Sequence, residues 1–109
     1  MAPKLFTIKK RSTFIIIRDQ GKFIKGKNIN IQVLHNQNLE KSIGVGYTAS
    51  KKIGNSVKRN KAKRIMRELA RKIIINGKIN SYYVLIAKSS LLDEKFGNLL
   101  IELKEKIND

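Results

Sequence analysis

Apolar and polar residues sort along this chain into a small number of periodic segments. Residues 29–34, INIQVL, set Ile29, Ile31 and Val33 against Asn30 and Gln32, the period of a half-buried strand. Residues 43–49, IGVGYTA, repeat the pattern, with Ile43, Val45, Tyr47 and Ala49 against Gly44, Gly46 and Thr48. The polar stretch HNQNLEKS lies between them, so an antiparallel pair with a longish loop is expected. Residues 82–87, YYVLIA, are apolar almost throughout, as in a strand covered on both faces.

Helical period governs the rest. Residues 10–20 predict a short helix that Ser12 or Thr13 would cap and Gly21 would end, although the run FIII also suits a strand. Residues 22–27 leave room for a short strand. After Gly54, Asn55 or Ser56 caps a long helix that runs to about Ile75 and closes at Asn76-Gly77. Ser90 and Asp93 have capping-box spacing, and Leu92, Phe96, Leu99, Leu100, Leu103 and Ile107 then form one apolar stripe. The expectation is one α+β domain over residues 1–109, a two-layer sandwich with helices on a small, mostly antiparallel sheet.

At 100° per residue the long helix puts Ala62, Ile65, Met66, Leu69 and Ile73 on one side, with Ala70 at the edge. Asn60, Arg64, Arg67 and Arg71 fall on the other. From Asn60 to Arg71 this stripe spans about 16 Å along the axis by helical rise, enough to follow several phosphates. Charge sharpens this picture. Residues 51–72 hold ten Lys or Arg against one acid, Glu68, giving +9 of the chain's formal +16. Residues 1–27 hold the other +7, and the remaining segments are neutral. A solvated helix face ordinarily mixes signs to gain i,i+4 pairs; unmixed positive charge asks for an anion, and nucleic acid is the anion that fits an extended stripe. Membrane binding is disfavoured, because the apolar side of the same helix is taken up by the core.

The chain has no Cys, which removes disulfides, thiolate zinc sites and cysteine nucleophiles. No targeting segment or membrane span is evident, so a cytoplasmic location is expected. The single histidine, His35, sits at a strand end with no paired acid, and no carboxylate dyad or metal-ligand cluster stands out. Tyr47 alternates with core residues and is expected in the core. Gly44 and Gly46 are expected where close packing needs them.

Residues 50–67 read Ser50-Lys51-Lys52-Ile53-Gly54-Asn55-Ser56-Val57-Lys58-Arg59-Asn60-Lys61-Ala62-Lys63-Arg64-Ile65-Met66-Arg67. This run resembles the signature S-K-K-x-G-x-A-V-x-R-N-R-x-K-R-x-x-R of the bacterial ribonuclease P protein family, and the flanking elements agree over nearly the whole chain. The resemblance implies an α–β sandwich with a left-handed βαβ crossover, of the second-domain type of a small-subunit ribosomal protein. It also implies a large catalytic RNA as partner, with which the protein removes the 5′ leader of precursor tRNA. The RNA cleaves with Mg²⁺; the protein alone holds no cofactor and is not expected to cut, and no obligate protein partner is implied.

Carried onto this chain, the signature places contact with the RNA on Lys51, Lys52, Arg59, Asn60, Lys61, Lys63, Arg64 and Arg67, and the helical count adds Arg71. The family's leader cleft lies between the first helix and the sheet. There Phe14 matches a stacking aromatic, although core packing is the equal alternative for that ring. Three positions depart from the pattern: Lys61 stands for an arginine, Arg18 for the next-turn aromatic, and Gln32 for an aromatic of the first long strand. Arg18, Gln32, Thr48 and Ser50 would make this cleft more polar than is usual in the family. The rival readings are a structural ribosomal protein or RNA chaperone, which fits the charge but not the ordered signature, and a DNA-binding module, which lacks a dimer surface or turn-helix pairing. A protein-only nuclease has no convergent acid–base pair to work with.

Overall fold

The computed structural model describes residues 3–108. Its elements are β1 (Leu5–Thr7), α1 (Arg11–Gln20), β2 (Lys22–Ile24), β3 (Ile29–Leu34), β4 (Ile43–Thr48), α2 (Ser56–Lys72), β5 (Ser81–Ala87) and α3 (Phe96–Ile107). The five strands form one sheet in the order β1-β4-β5-β3-β2. One face carries α2 and α3 over the main core; the other carries α1 over a smaller cluster built on Ile8, Ile17 and Val84.

The expected antiparallel pairing of β3 with β4 does not occur. β5 lies between them, antiparallel to β3 and parallel to β4. Alternation reports which face a residue takes, not which strand lies beside it. The physical reason for the insertion is in β5 itself, whose unbroken apolar run needs cover on both faces and so belongs at the centre. The loop after β3 steps across the start of β5 instead of turning back. Gln37 N–H donates to Asn80 O (2.8 Å), and Asn80 N–H donates to Ser42 O (2.8 Å). With β1 also parallel to β4, two of the four strand pairs are parallel, so the sheet is mixed rather than mostly antiparallel. β1 was not expected; three residues are too short for a period to register.

Capping also differs from expectation. α1 begins at Arg11 after Lys10, with no side-chain cap from Ser12 or Thr13, which lie inside the helix. Gly21 does end it, through its N–H to Ile17 O (2.8 Å), and a Cβ there would stand 2.6 Å from Val33 O. The Ser90–Asp93 capping box does not form. Those residues make a 3-10 turn in which Ser90 Oγ donates to Lys27 O (3.3 Å), and α3 starts only at Phe96. Glu94 supplies the acceptor at that helix start, from Lys95 N–H (3.0 Å) and Asn98 Nδ2 (2.9 Å). Those two hydrogen bonds, the Asn98 one first, hold its carboxyl below the usual range. α2 ends at Lys72, three residues early, and the chain continues as a 3-10 turn over Ile74–Asn76 that Gly77 closes.

His35 has a structural part. Its Nδ1 lies 2.7 Å from Ser81 Oγ, and its ring meets Tyr83 edge-on. Desolvation, then Lys78 and Lys22, lower its pKa below the ordinary 6.5. A lowered folded pKa means that the unfolded chain takes the proton first. The stabilising contribution is therefore complete above the ordinary value and is lost as pH falls below it. The urea midpoint is expected to drop modestly from pH 7.5 to pH 5, and His35→Gln is expected to flatten that drop.

Candidate nucleic-acid interface

Two surfaces are built on opposite faces of the sheet. The first is the outer side of α2. Ser50 caps a short 3-10 turn, accepting from Lys52 N–H (3.3 Å), and this turn presents Lys51 and Lys52 to solvent. Gly54 then adopts φ 137°, a conformation that excludes a side chain at little cost only for glycine. This reversal aims the chain into α2, whose cap is Asn55, through Oδ1 accepting from Lys58 N–H (3.0 Å). Ser56 is left as the first helical residue, with its Oγ accepting from Arg59 Nη2 (3.3 Å).

Burial anchors the helix as its period predicts. Ala62, Met66, Leu69 and Ala70 are fully buried and Ile65 and Ile73 partly so; Ala70 is thus in the core rather than at its edge. Asn60, Lys61, Arg64, Arg67 and Arg71 are exposed, while Arg59 and Lys63 flank them half-buried. The arginine stripe is therefore one continuous outward ridge. Glu68 pairs locally, with Arg71 Nη1 at 3.0 Å and Lys72 Nζ at 3.9 Å. One carboxylate shared between two cations leaves the ridge strongly positive.

Tyr47 adds what the alternation did not reveal. Its ring lies on the α2 face, and the Arg67 guanidinium carbon sits 5.6 Å from the ring centroid. This cation–π contact holds the Arg67 guanidinium against the ring while the residue stays exposed. Burial raises the Tyr47 hydroxyl pKa, with Arg67 and Arg71 opposing, so the phenol stays neutral beside the guanidinium. Arg67, Arg71, Tyr47, Leu5, Phe6 and Thr7 line one shallow pocket, which makes β1 part of this surface.

The second surface is the face under α1. Phe14 is half-buried and its ring lies against Gly46; a Cβ on Gly46 would overlap it. Gly44 similarly makes room for Phe6 and Tyr82, whose rings meet edge-on at 6.4 Å. Ile17 is fully buried on Val84, so Phe14 and Ile17 split the contact between ring and core. Arg18, one turn on from Phe14, is exposed and bonds Asp19 (3.1 Å). Strand register places Gly46, Val84 and Gln32 in one row of this face, with Thr48 two residues beyond Gly46. Gln32 and Thr48 are half-buried; Ser50, exposed, lies past the strand end with its Oγ engaged as a cap. Phe14, Gln32 and Thr48 thus share a face that no α2 residue reaches.

Comparison with known proteins agrees with this architecture. The Ribonuclease P family model matches residues 2–109. The ribonuclease P protein component of Symbiobacterium thermophilum is 31% identical over 106 residues, 97% of this chain and 88% of that protein. That of Caulobacter vibrioides is 31% identical over 102 residues, 93% of this chain and 68% of that protein. The RNase P protein of Staphylococcus aureus superposes with a TM-score of 0.81 at 24% identity, covering 94% of this chain and 93% of that one. The RNase P protein from Thermotoga maritima gives 0.79 at 20% identity, covering 94% of each. With the family model matching residues 2–109 and a relative 31% identical over 97% of this chain, the chain belongs to the ribonuclease P protein family.

Proposed function

We propose that this subunit docks on the catalytic RNA of ribonuclease P through the α2 ridge and holds the 5′ leader of precursor tRNA in the α1 cleft. The observation that carries the reading is the ridge itself: Arg64, Arg67 and Arg71 point outward together, and one glutamate answers eight bases between Lys58 and Lys72. Lys51, Lys52, Arg59, Asn60, Lys61 and Lys63 extend it. Phosphate contact by this many cations gives affinity without sequence preference, and Asn60 adds a paired donor and acceptor to an otherwise cationic surface.

In the cleft, stacking on Phe14 accepts any base, which suits leaders of varied sequence. Arg18 offers a phosphate or stacking contact, and Gln32, Thr48 and Ser50 offer hydrogen bonds. Among the described residues no three His, Asp or Glu side chains converge as a metal-binding group. As the family resemblance implies, the reading leaves Mg²⁺ and the hydrolysis to the RNA. A cytoplasmic location fits this reading; among the described residues no helix is long and apolar enough to cross a membrane.

The test is reconstitution with a bacterial ribonuclease P RNA and Mg²⁺. The protein alone is expected to cleave nothing. The holoenzyme is expected to bind precursor tRNA more tightly than mature tRNA, and assembly to weaken steeply as salt rises. Equal affinity for the two tRNAs would remove the leader site. Gly46→Ala is a finer probe, because the new methyl displaces the Phe14 ring without touching α2. The precursor preference is expected to fall several-fold in that variant while affinity for the RNA stays unchanged.

A further inference from the structure

Phe23 is a large aromatic ring, 56% exposed, on the edge strand β2. Neither core cluster includes it. Its neighbour Ile24 packs against the main core, so the strand's alternation turns Phe23 to the opposite face, the one under α1. The register confirms the side. Phe23 pairs with Gln32, Gln32 with Val84, and Val84 with Gly46. One row across the sheet therefore ends in an aromatic ring at each side, Phe14 lying over Gly46 and Phe23 on β2.

Leaving a phenylalanine in water on an edge strand forgoes the burial that normally places it. The segment that carries it is cationic: Lys22 and Lys25 are exposed, Lys22 on the opposite face by the same alternation, and Asp19 is the only acid in residues 1–27. An exposed ring on a cationic segment, beside a half-buried amide, has the chemistry of a single-stranded nucleic-acid platform. The row spans three strand spacings, roughly 14 Å, too far for both rings to sandwich one base. The Gln32 amide stands directly across from Phe23, where opposed Cβ atoms lie about 5 Å apart. A base stacked on the ring would offer its edge to that amide.

We propose that Phe23 is a second stacking platform in the leader cleft, taking a nucleotide different from the one on Phe14, with Gln32 bonding that base's edge. This rests on the leader-binding reading above.

The experiment uses the reconstituted holoenzyme with precursor tRNA and mature tRNA. Phe23→Ala is expected to weaken precursor binding about tenfold, as for the loss of one stacked base, and to leave mature tRNA unchanged. Phe23→Tyr is expected to restore most of the loss. Single abasic substitutions walked along the leader are expected to cost affinity at two positions in the original protein, and at one of them no longer in Phe23→Ala. Because the chain contains no tryptophan, Phe23→Trp introduces a lone fluorophore that precursor tRNA, but not mature tRNA, is expected to perturb. If the original protein prefers the precursor and Phe23→Ala binds it equally well, the platform is wrong and the leader site stands. An equal loss toward both tRNAs would make Phe23 merely structural and overturn the proposal. Equal affinity of the original protein for both tRNAs would remove the leader reading, and this inference with it.

Discussion

Replacing Arg64 and Arg67 together with alanine is expected to lower affinity for ribonuclease P RNA by about 100-fold or more, with the fold intact. Both side chains are exposed, so neither carries the core. A charge-assisted hydrogen bond to phosphate is worth about 1.5–3 kcal/mol, and two such losses reach 3–6 kcal/mol. Arg67 is expected to contribute the larger share, because Tyr47 already holds its guanidinium in one orientation. Lysine at both positions keeps the charge but loses the fork, so it is expected to restore part of the affinity and most of the salt dependence. Filter binding across a salt series, with circular dichroism as the check on folding, separates these outcomes. Arg71 is a weaker probe, since Glu68 already accepts its Nη1 at 3.0 Å.

The second large effect concerns stability. Glu102 on α3 reaches the turn before β3, where its Oε2 accepts from Asn28 N–H (2.9 Å) and Ile29 N–H (3.1 Å) and its Oε1 from Asn28 Nδ2 (2.8 Å). Asn28 is only 2% exposed, so water does not readily replace that acceptor. Nearby, Lys88 Nζ donates to Gly26 O (3.1 Å) and Gly26 N–H to Asn30 Oδ1 (3.0 Å), which fixes the whole turn. Glu102→Ala strands two backbone donors and an amide, at about 3 kcal/mol, a large fraction of the 5–15 kcal/mol typical of a small domain. Glu102→Gln keeps one carbonyl oxygen and is expected to cost about half as much. Urea unfolding measures both. The cationic ridge lies on another element, α2, so RNA binding corrected for the folded fraction is expected to stay level.

The two faces of the sheet were legible in the sequence because side-chain alternation depends only on local backbone geometry. Ile31 and Val33 are buried while Gln32 is not, as the period requires. The ridge was legible for the same reason, since a long helix fixes the bearing of every residue along it. Strand neighbours were not legible. The placement of β5 between β3 and β4 is decided by contacts distant in sequence, and the loop that permits it relies on Asn36, Glu40 and Lys41 at positive φ, which no pattern announces. Caps failed at α1 and α3 because Ser12 and Ser90 had acceptable spacing but tertiary packing set the boundaries elsewhere. The Tyr47–Arg67 contact was hidden because a tyrosine in step with core residues carries no mark of the guanidinium above it. The face that Phe23 takes was not legible, since three residues of edge strand give no reading of side until the register with β3 is known.

The most direct test of a two-surface subunit uses its freedom from cysteine. A single cysteine introduced at Val57, 76% exposed at the start of α2, or at Thr48 on the α1 face of the sheet, can carry a tethered iron chelate that cuts nearby RNA by hydroxyl radicals. In the holoenzyme bound to precursor tRNA, the Val57→Cys probe is expected to cut the catalytic RNA and spare the leader, and the Thr48→Cys probe to cut the leader. Cuts in the leader from Val57→Cys, or cuts from Thr48→Cys confined to the catalytic RNA, would contradict the assignment of the ridge and the cleft.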